Sequence, residues 1–300
     1  MPERLSFYDE IQKNKIKSFI LIGIIFFFFI GLGYIISFVV DPGYFFIVMI
    51  FSTIFSISYI LISYYNSDRI ALASVNAKPA SGTEHRLLLN IVESISLASG
   101  LPMPKVYVMQ SEQINAFASG RDYKHSVICV TTGALVKLNK QELEGVISHE
   151  MSHIANYDIR FMTLTAVLVG MVSIIAQIFL RNLWIAGSRD ENKKGGGILI
   201  IVAVIASILA PIAVQLVSLA ISRKREFGAD ATGVKFARSP TGLKSALEKI
   251  RDEHISSQDT KRYPKAVAPL FIGDPYKKKF QDIFSTHPDI NIRIKRLERM

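Results

Sequence analysis

In the run His149-Glu150-Met151-Ser152-His153, two imidazoles stand four residues apart and a carboxylate adjoins the first. On a helix that spacing puts His149 and His153 on one face, about one turn apart. Imidazoles so placed can reach one tetrahedral zinc at roughly 2.0–2.1 Å each. Glu150 could then face a water made acidic by the metal, where a carboxylate suits a general base. The motif alone also fits a surface helix with two solvated histidines. A hydrolytic zinc site takes three protein ligands and keeps one position open, so a third must come from elsewhere. The stretch Arg223-Lys224-Arg225-Glu226-Phe227-Gly228-Ala229-Asp230 again offers two carboxylates one helical turn apart. Glu226 could bind the metal while Asp230 accepts a hydrogen bond from a ligand histidine and so fixes its ring and tautomer. The alternative is that both carboxylates pair with Arg223 and Arg225 on a solvated face.

The elements that must position these groups are legible in outline. A helix is predicted from about Lys140 to Tyr157, with Asn139 as N-cap and Glu142 three positions on; Leu143, Val146, Ile147, Met151 and Ile154 offer it apolar packing. Residues Glu84 to Ser99 read as an amphipathic helix with Leu87, Leu88, Ile91, Ile95 and Leu97 apolar. The stretches Lys105 to Met109 and Ser126 to Thr131 read as strands. Four windows lack any Asp, Glu, Lys, Arg or His: Ser18 to Val40, Pro42 to Ser67, Phe161 to Leu180 and Gly195 to Ser222. About 20 helical residues cross a hydrocarbon core of roughly 30 Å, and each window is long enough. The first exceeds a typical signal-peptide core and lacks a small-residue cleavage site, so it reads as a retained anchor.

Two spans lie between His153 and Glu226, so the chain returns to the membrane face it left and both halves of the site meet there. Lys13, Lys15 and Lys17 precede the first span, while the turn Asp41-Pro42-Gly43 carries no cation, which places the N-terminus in the cytoplasm. The loop between spans three and four, with Arg181, Arg189, Lys193 and Lys194, then falls outside against the same rule. The net charge is +10, with cations flanking the apolar windows or gathered in Arg223-Lys224-Arg225 and Lys277-Lys278-Lys279. Anionic lipid headgroups account for that pattern, and no nucleic-acid motif is present. The single Cys129 lies in an apolar run, which excludes a disulfide framework and a cysteine metal site.

His-Glu-x-x-His followed, beyond two spans, by Arg223-Lys224-Arg225-Glu226-Phe227-Gly228-Ala229-Asp230 resembles the M48 peptidases. The likeness extends over nearly the whole chain, including Gln113-Ile114-Asn115-Ala116-Phe117-Ala118 and Ser285-Thr286-His287-Pro288. It implies an α+β, mostly α fold: four transmembrane helices plus a cytoplasmic zincin-like (gluzincin) catalytic domain with a small sheet. The expected division is 1–67 for an N-terminal segment and transmembrane hairpin, 68–160 for the first half of the catalytic domain, 161–222 for a second hairpin and 223–300 for the second half. The implied activity is a zinc endopeptidase with one zinc per subunit. It would cleave damaged or misassembled membrane proteins from the cytoplasmic side of the cell (inner) membrane in a stress response. Carried over by motif, His149, His153 and Glu226 are ligands and Glu150 the catalytic base, with Asp230 behind them.

In zinc peptidases of this kind an edge strand above the metal pairs with substrate backbone, a role open to Asn115, Ala116 and Phe117. The other reading is an ordinary strand end with Phe117 in the core. His287 or Arg293 could donate to the oxyanion of a tetrahedral intermediate. Capping by His287, and headgroup or ion-pair contacts by Arg293, are the alternatives.

Two other classes remain. A divalent-metal transporter would place ionisable groups within its spans, but these hold Gln177 and Gln215 and no carboxylate or histidine. A structural zinc scaffold would close its site with a fourth protein ligand.

Overall fold

The computed structural model of the chain describes residues 7–40, 42–166, 223–256, 270–273 and 288–300. Unbroken apolar sequence forms α1 (Phe7–Val40) and, after a short 3-10 turn at Pro42–Tyr44, α2 (Phe45–Tyr65). The two pack as an antiparallel hairpin. Gly33 gives way to the Ser52 side chain, and the ring of Phe29 meets those of Phe55 and Tyr59 at 5.2 and 5.4 Å. Phe19, Phe27, Phe46 and Phe51 nonetheless remain 68% to 77% exposed. Such an apolar belt suits lipid rather than water. Two helices long and apolar enough to cross a bilayer, at 14–31 and 45–65, lie among the described residues. Windows three and four lie outside them, apart from the first residues of window three.

Helix α3 (Ser67–Ser74) leads to a four-stranded sheet of β1 (Lys78–Pro79), β2 (Lys105–Met109), β3 (Ala116–Asp122) and β4 (His125–Thr131), in the order β1-β2-β4-β3. The β2–β4 pair is parallel and the other two are antiparallel. Both faces of the sheet are covered, which explains the continuous apolar run of β4. Val106, Val108, Ile128 and Val130 face α4 (Arg86–Ser99) and α6 (Lys140–Ala155). Phe117, Val127 and Cys129 face α3 and residues 162–166 and 270–271. Burial pushes the Cys129 thiol far up in pKa, as expected of an inert core thiol.

Helix α4 differs from expectation in its buried face. Leu88, Ile91, Val92 and Ile95 are buried, whereas Leu87 and Leu97 are exposed. The buried set follows the i, i+3, i+4, i+7 stripe, and positions 87 and 97 fall off it.

Six-residue α5 (Thr132–Lys137) precedes α6. Asn139 and Glu142 form the expected capping box, at 2.9 and 2.8 Å. The same Glu142 carboxylate also accepts from Ser245 and Lys249, both at 2.7 Å. Residues 158–166 form α7, whose Phe161 and Leu164 bury against Leu21, Ile25 and Phe29 of α1. Beyond it come α8 (Arg223–Ala237), α9 (Thr241–Ser256) and α10 (Ile290–Leu297). Leu243, Leu247 and Ile250 of α9 and Ile294 and Leu297 of α10 share one core with α4, α6 and the sheet. The stretches 68–160 and 223–300 therefore contribute to a single hydrophobic core.

Almost every side chain from Gly145 to Ala155 is buried, because α6 is enclosed by the sheet, α4, α8 and α9. The fit to α9 is close at Gly145, where an added Cβ would collide with the backbone of Gly242 and Leu243. Gly145→Ala should therefore cost about 1–3 kcal/mol by overpacking. Gly228, with open space around it, should tolerate Ala within about 1 kcal/mol, on the stabilising side. Thermal unfolding of the two variants in detergent checks both.

Candidate metal centre

His149 and His153 project from one face of α6, and their Nε2 atoms lie 3.3 Å apart. Two ligands 2.0–2.1 Å from a tetrahedral centre would be separated by about that distance, roughly 3.3–3.4 Å. Glu226 on α8 completes the group: its Oε1 is 3.6 Å from His153 Nε2 and its Oε2 is 3.8 Å from His149 Nε2. All three side chains are buried, with candidate ligand atoms within 4.8 Å of one another. Two imidazoles and a carboxylate form a donor set that suits zinc.

Helix α8 reaches α6 along one stripe. Glu226, Asp230 and Gly233 fall at i, i+4 and i+7, and a Cβ on Gly233 would lie 3.0 Å from the His149 backbone nitrogen. A side chain there would sit tightly against the α6 backbone, which would have to give by a few tenths of an ångström.

Around this group the ring nitrogens not facing Glu226 are held by carboxylates. Asp230 Oδ1 lies 3.0 Å from His149 Nδ1, as the sequence suggested. Asp158 Oδ2 lies 3.0 Å from His153 Nδ1, a contact that sequence reasoning missed. Five residues separate His153 from Asp158, which on a continuous helix would put them on different faces. Tyr157 adopts a left-handed φ of 58° and turns the chain back. A non-glycine residue in that region costs on the order of 1–3 kcal/mol. Its ring is braced edge-on by Tyr123 at 5.8 Å and by the Lys15 and Arg160 cations at 4.9 and 5.4 Å. Asn156 marks the end of α6, but the left-handed position falls on Tyr157, a residue type that does not announce it.

Arg293 is the second surprise. It is 1% exposed, which excludes the headgroup reading and favours the ion-pair one. Its Nε and Nη2 donate to both oxygens of Asp230 at 3.0 and 2.7 Å, its Nη1 lies 3.5 Å from Glu226, and Nη1 also donates to the Ile272 carbonyl at 3.3 Å. Asp230 thus pairs with Arg293. His287 lies outside the described residues.

The edge-strand expectation needs correction at its first residues. β3 is an edge strand, but the Ala116 carbonyl accepts from Ile272 N at 2.9 Å, and Phe117 pairs with Phe271 across an isolated bridge and an edge-on ring contact of 5.3 Å. Asn115 Nδ2 donates to the Gly273 carbonyl at 3.0 Å and its Oδ1 accepts from Gly273 N at 3.2 Å. Residues 270–273 therefore occupy the backbone edge at 115–117, and Phe117 is in the core.

Electrostatics divide the histidines. Burial lowers the His149 pKa to about 4; Arg293 adds to that and the bond to Asp230 offsets only part. Burial also disfavours the His153 cation, but Asp158 and the carboxylates of Glu226 and Glu150 outweigh it and raise the pKa to about 9. Burial would raise Asp230, yet Arg293 and His149 hold it down to about 2. Neither Glu150 oxygen has a hydrogen-bond partner among the described residues. Burial pushes its pKa up to about 7, with His153, the nearby Ala118 N–H and Arg293 offsetting only part.

The profile of peptidase family M48 matches residues 83–300. The chain belongs to that family. Among M48 relatives, a protease HtpX homolog from Caldanaerobacter subterraneus subsp. tengcongensis is 48% identical over 256 residues, covering 84% of each chain. One from Dictyoglomus thermophilum is 42% identical over 295 residues, 98% of this chain and 95% of that one. The crystal structure of S. mikatae Ste24p shares the fold at TM-score 0.50 and 19% identity, over 95% of this chain and 66% of that chain. The protein is thus a metalloprotease of the M48 family, and its apolar hairpin is that of a membrane protein.

Zinc takes a neutral imidazole, so binding at this group must displace the His153 proton below about pH 9, whereas His149 is already neutral above about pH 5. Apparent zinc affinity should therefore rise roughly tenfold per pH unit between pH 6 and 8, with about one proton released per ion. Chelator-competition titrations across that range, with calorimetry in two buffers, measure both.

Proposed function

We propose that the chain is a zinc-dependent endopeptidase of the cell (inner) membrane that degrades misfolded or damaged membrane proteins from the cytoplasmic side, as stress-response quality control. The observation that carries the hydrolytic part is the facing pair of imidazole nitrogens at 3.3 Å, with Glu226 across from them and an unbonded Glu150 carboxylate alongside. Support for the setting comes from the lipid-suited hairpin and the cations Lys13, Lys15 and Lys17 at its polar end. In this reading the chain crosses the membrane four times, with 68–160 and 223–300 together forming the catalytic domain and both termini cytoplasmic.

His149, His153 and Glu226 would hold one zinc, which when bound polarises the scissile carbonyl and lowers the pKa of water. Glu150 takes the proton of the attacking water and returns it to the leaving amine, so no covalent intermediate with the protein forms. A pKa near neutrality suits a group that must both accept and release a proton. Asp230 and Asp158 fix the imidazole rings, and Arg293 fixes Asp230. Asn115, Ala116 and Phe117 would serve substrate binding by shaping β3, since residues 270–273 already occupy that stretch of its edge. Ala118, whose N–H faces Glu150, is the residue of the strand placed beside the reacting groups.

Glu150→Gln, purified in detergent, should keep its zinc and lose about 10²–10⁴-fold in cleavage of an unfolded casein-type substrate. Metal content and proteolysis measured on the same sample decide it. Wild-type cleavage by that variant overturns the mechanism.

A further inference from the structure

The ligand-orienting carboxylate Asp158 is itself held by a residue from a different part of the chain. Asn14, on the first membrane helix α1, is 2% exposed. Its Nδ2 donates to Asp158 Oδ1 at 2.7 Å and to the Asn156 carbonyl at 3.1 Å. The other Asp158 oxygen is the one 3.0 Å from His153 Nδ1. A continuous path thus runs from α1 through one amide and one carboxylate to an imidazole of the metal group, all of it buried. Asn14 also stands where the apolar stretch of α1 begins, and beside it Lys15 lies over the Tyr157 ring whose left-handed turn presents Asp158.

We propose that Asn14 is a positioning residue of the metal centre: by holding Asp158 it sets the ring of His153, so that the seating of the first membrane helix is read directly at the metal. An amide suits the task. It donates to the carboxylate without adding charge, whereas Lys or Arg there would compete with His153 for Asp158, and an apolar residue would leave a buried carboxylate oxygen short of a donor. Partners one step behind a metal ligand typically matter about 10–100-fold in metal affinity or activity. Asn14 stands one step further back, so the lower figure applies.

The inference rests on His153 being a metal ligand, and the test separates the two ideas. Wild type, Asn14→Leu, Asn14→Ala, Ser18→Ala and His153→Ala are compared in detergent. The measurements are zinc affinity by chelator competition, the ligand-field spectrum of the cobalt-substituted protein, and kcat and KM for an unfolded substrate. Ser18 is a buried neighbour on α1 whose hydroxyl, among the described residues, bonds the Asn14 carbonyl alone, at 2.9 Å, and it controls for helix packing. Asn14→Ala removes the donor without adding bulk or charge, so its result stands even where the leucine variant fails to fold.

Both Asn14 variants should bind zinc about tenfold more weakly, with an altered cobalt spectrum and a loss in kcat at nearly unchanged KM. Ser18→Ala should behave as wild type. Wild-type affinity and spectrum in Asn14→Ala overturn the proposal, as does an equal loss in Ser18→Ala. If His153→Ala loses zinc while the Asn14 variants match wild type, only the role of Asn14 falls. If His153→Ala keeps its zinc, the ligand assignment falls first and takes the inference with it.

Discussion

Arg293 and Asp230 form a buried ion pair on which the metal centre is hung. Asp230 touches His149 on one side and Arg293 on the other, and Arg293 extends to Glu226 and to the Ile272 carbonyl. Burying a charge without a partner costs several kcal/mol, and a close, well-bonded partner recovers much of that. Here one guanidinium serves two carboxylates from α8 and a carbonyl of the strand-capping segment. The last helix, α8 and residues 270–273 are thereby fixed relative to α6. The pair is also asymmetric in its effect on the ligands. Arg293 helps to keep His149 neutral, while His153, out of its reach and facing Asp158, holds its proton tightly.

Close helix approach makes this possible. Glu226 can face two imidazoles only if α8 lies almost on the backbone of α6, and Gly233 against His149 permits that approach. Gly145 does the same for α9, whose Ser245 and Lys249 then reach the capping carboxylate at the start of α6. The helix that carries His149 and His153 is therefore restrained at its beginning by Glu142, along its length by two glycine contacts and at its end by the Tyr157 turn. Its burial on all sides also removes the amphipathic pattern that usually marks a helix, and the cap and the histidine spacing were what marked it instead.

Local chemistry was legible in the sequence and distant pairing was not. Asn139 and Glu142 announce a cap because both partners lie within one turn, and His149, Glu150 and His153 announce a metal-binding face for the same reason. Glu226 and Asp230 were found because their spacing repeats that geometry. Arg293 was a candidate for the site, but its pairing with Asp230 could not be read from sequence, because the two lie 63 positions apart. Asp158 was hidden by a left-handed tyrosine, a conformation that side-chain type disfavours and tertiary contacts enforce. The pairing of Leu270–Gly273 with β3 joins residues more than 150 positions apart and leaves no periodic trace. For helix α4 the error was one of phase: counting apolar residues included Leu87 and Leu97, whereas the 3.6-residue period excludes them.

The depth of the site follows from the same contacts. Lys15, Arg121 and Arg160 lie over the rings of Tyr157, Tyr65 and Tyr64, and the Arg121 and Arg160 side chains also donate to the carbonyls of Tyr65 and Arg121. Tyrosines and cations together are the residues that settle at a bilayer interface, with an apolar body and a polar tip. They gather at the polar end of the hairpin, where α1 enters its apolar stretch and α2 leaves it. The Asn14–Asp158–His153 path begins in that same layer. The metal group is thus tied by hydrogen bonds to the level at which the first apolar helix meets water, and α7, which starts at Asp158, runs from there against the apolar face of α1. The helix that carries Asn14 into this layer therefore also supplies the amide that holds Asp158 against His153.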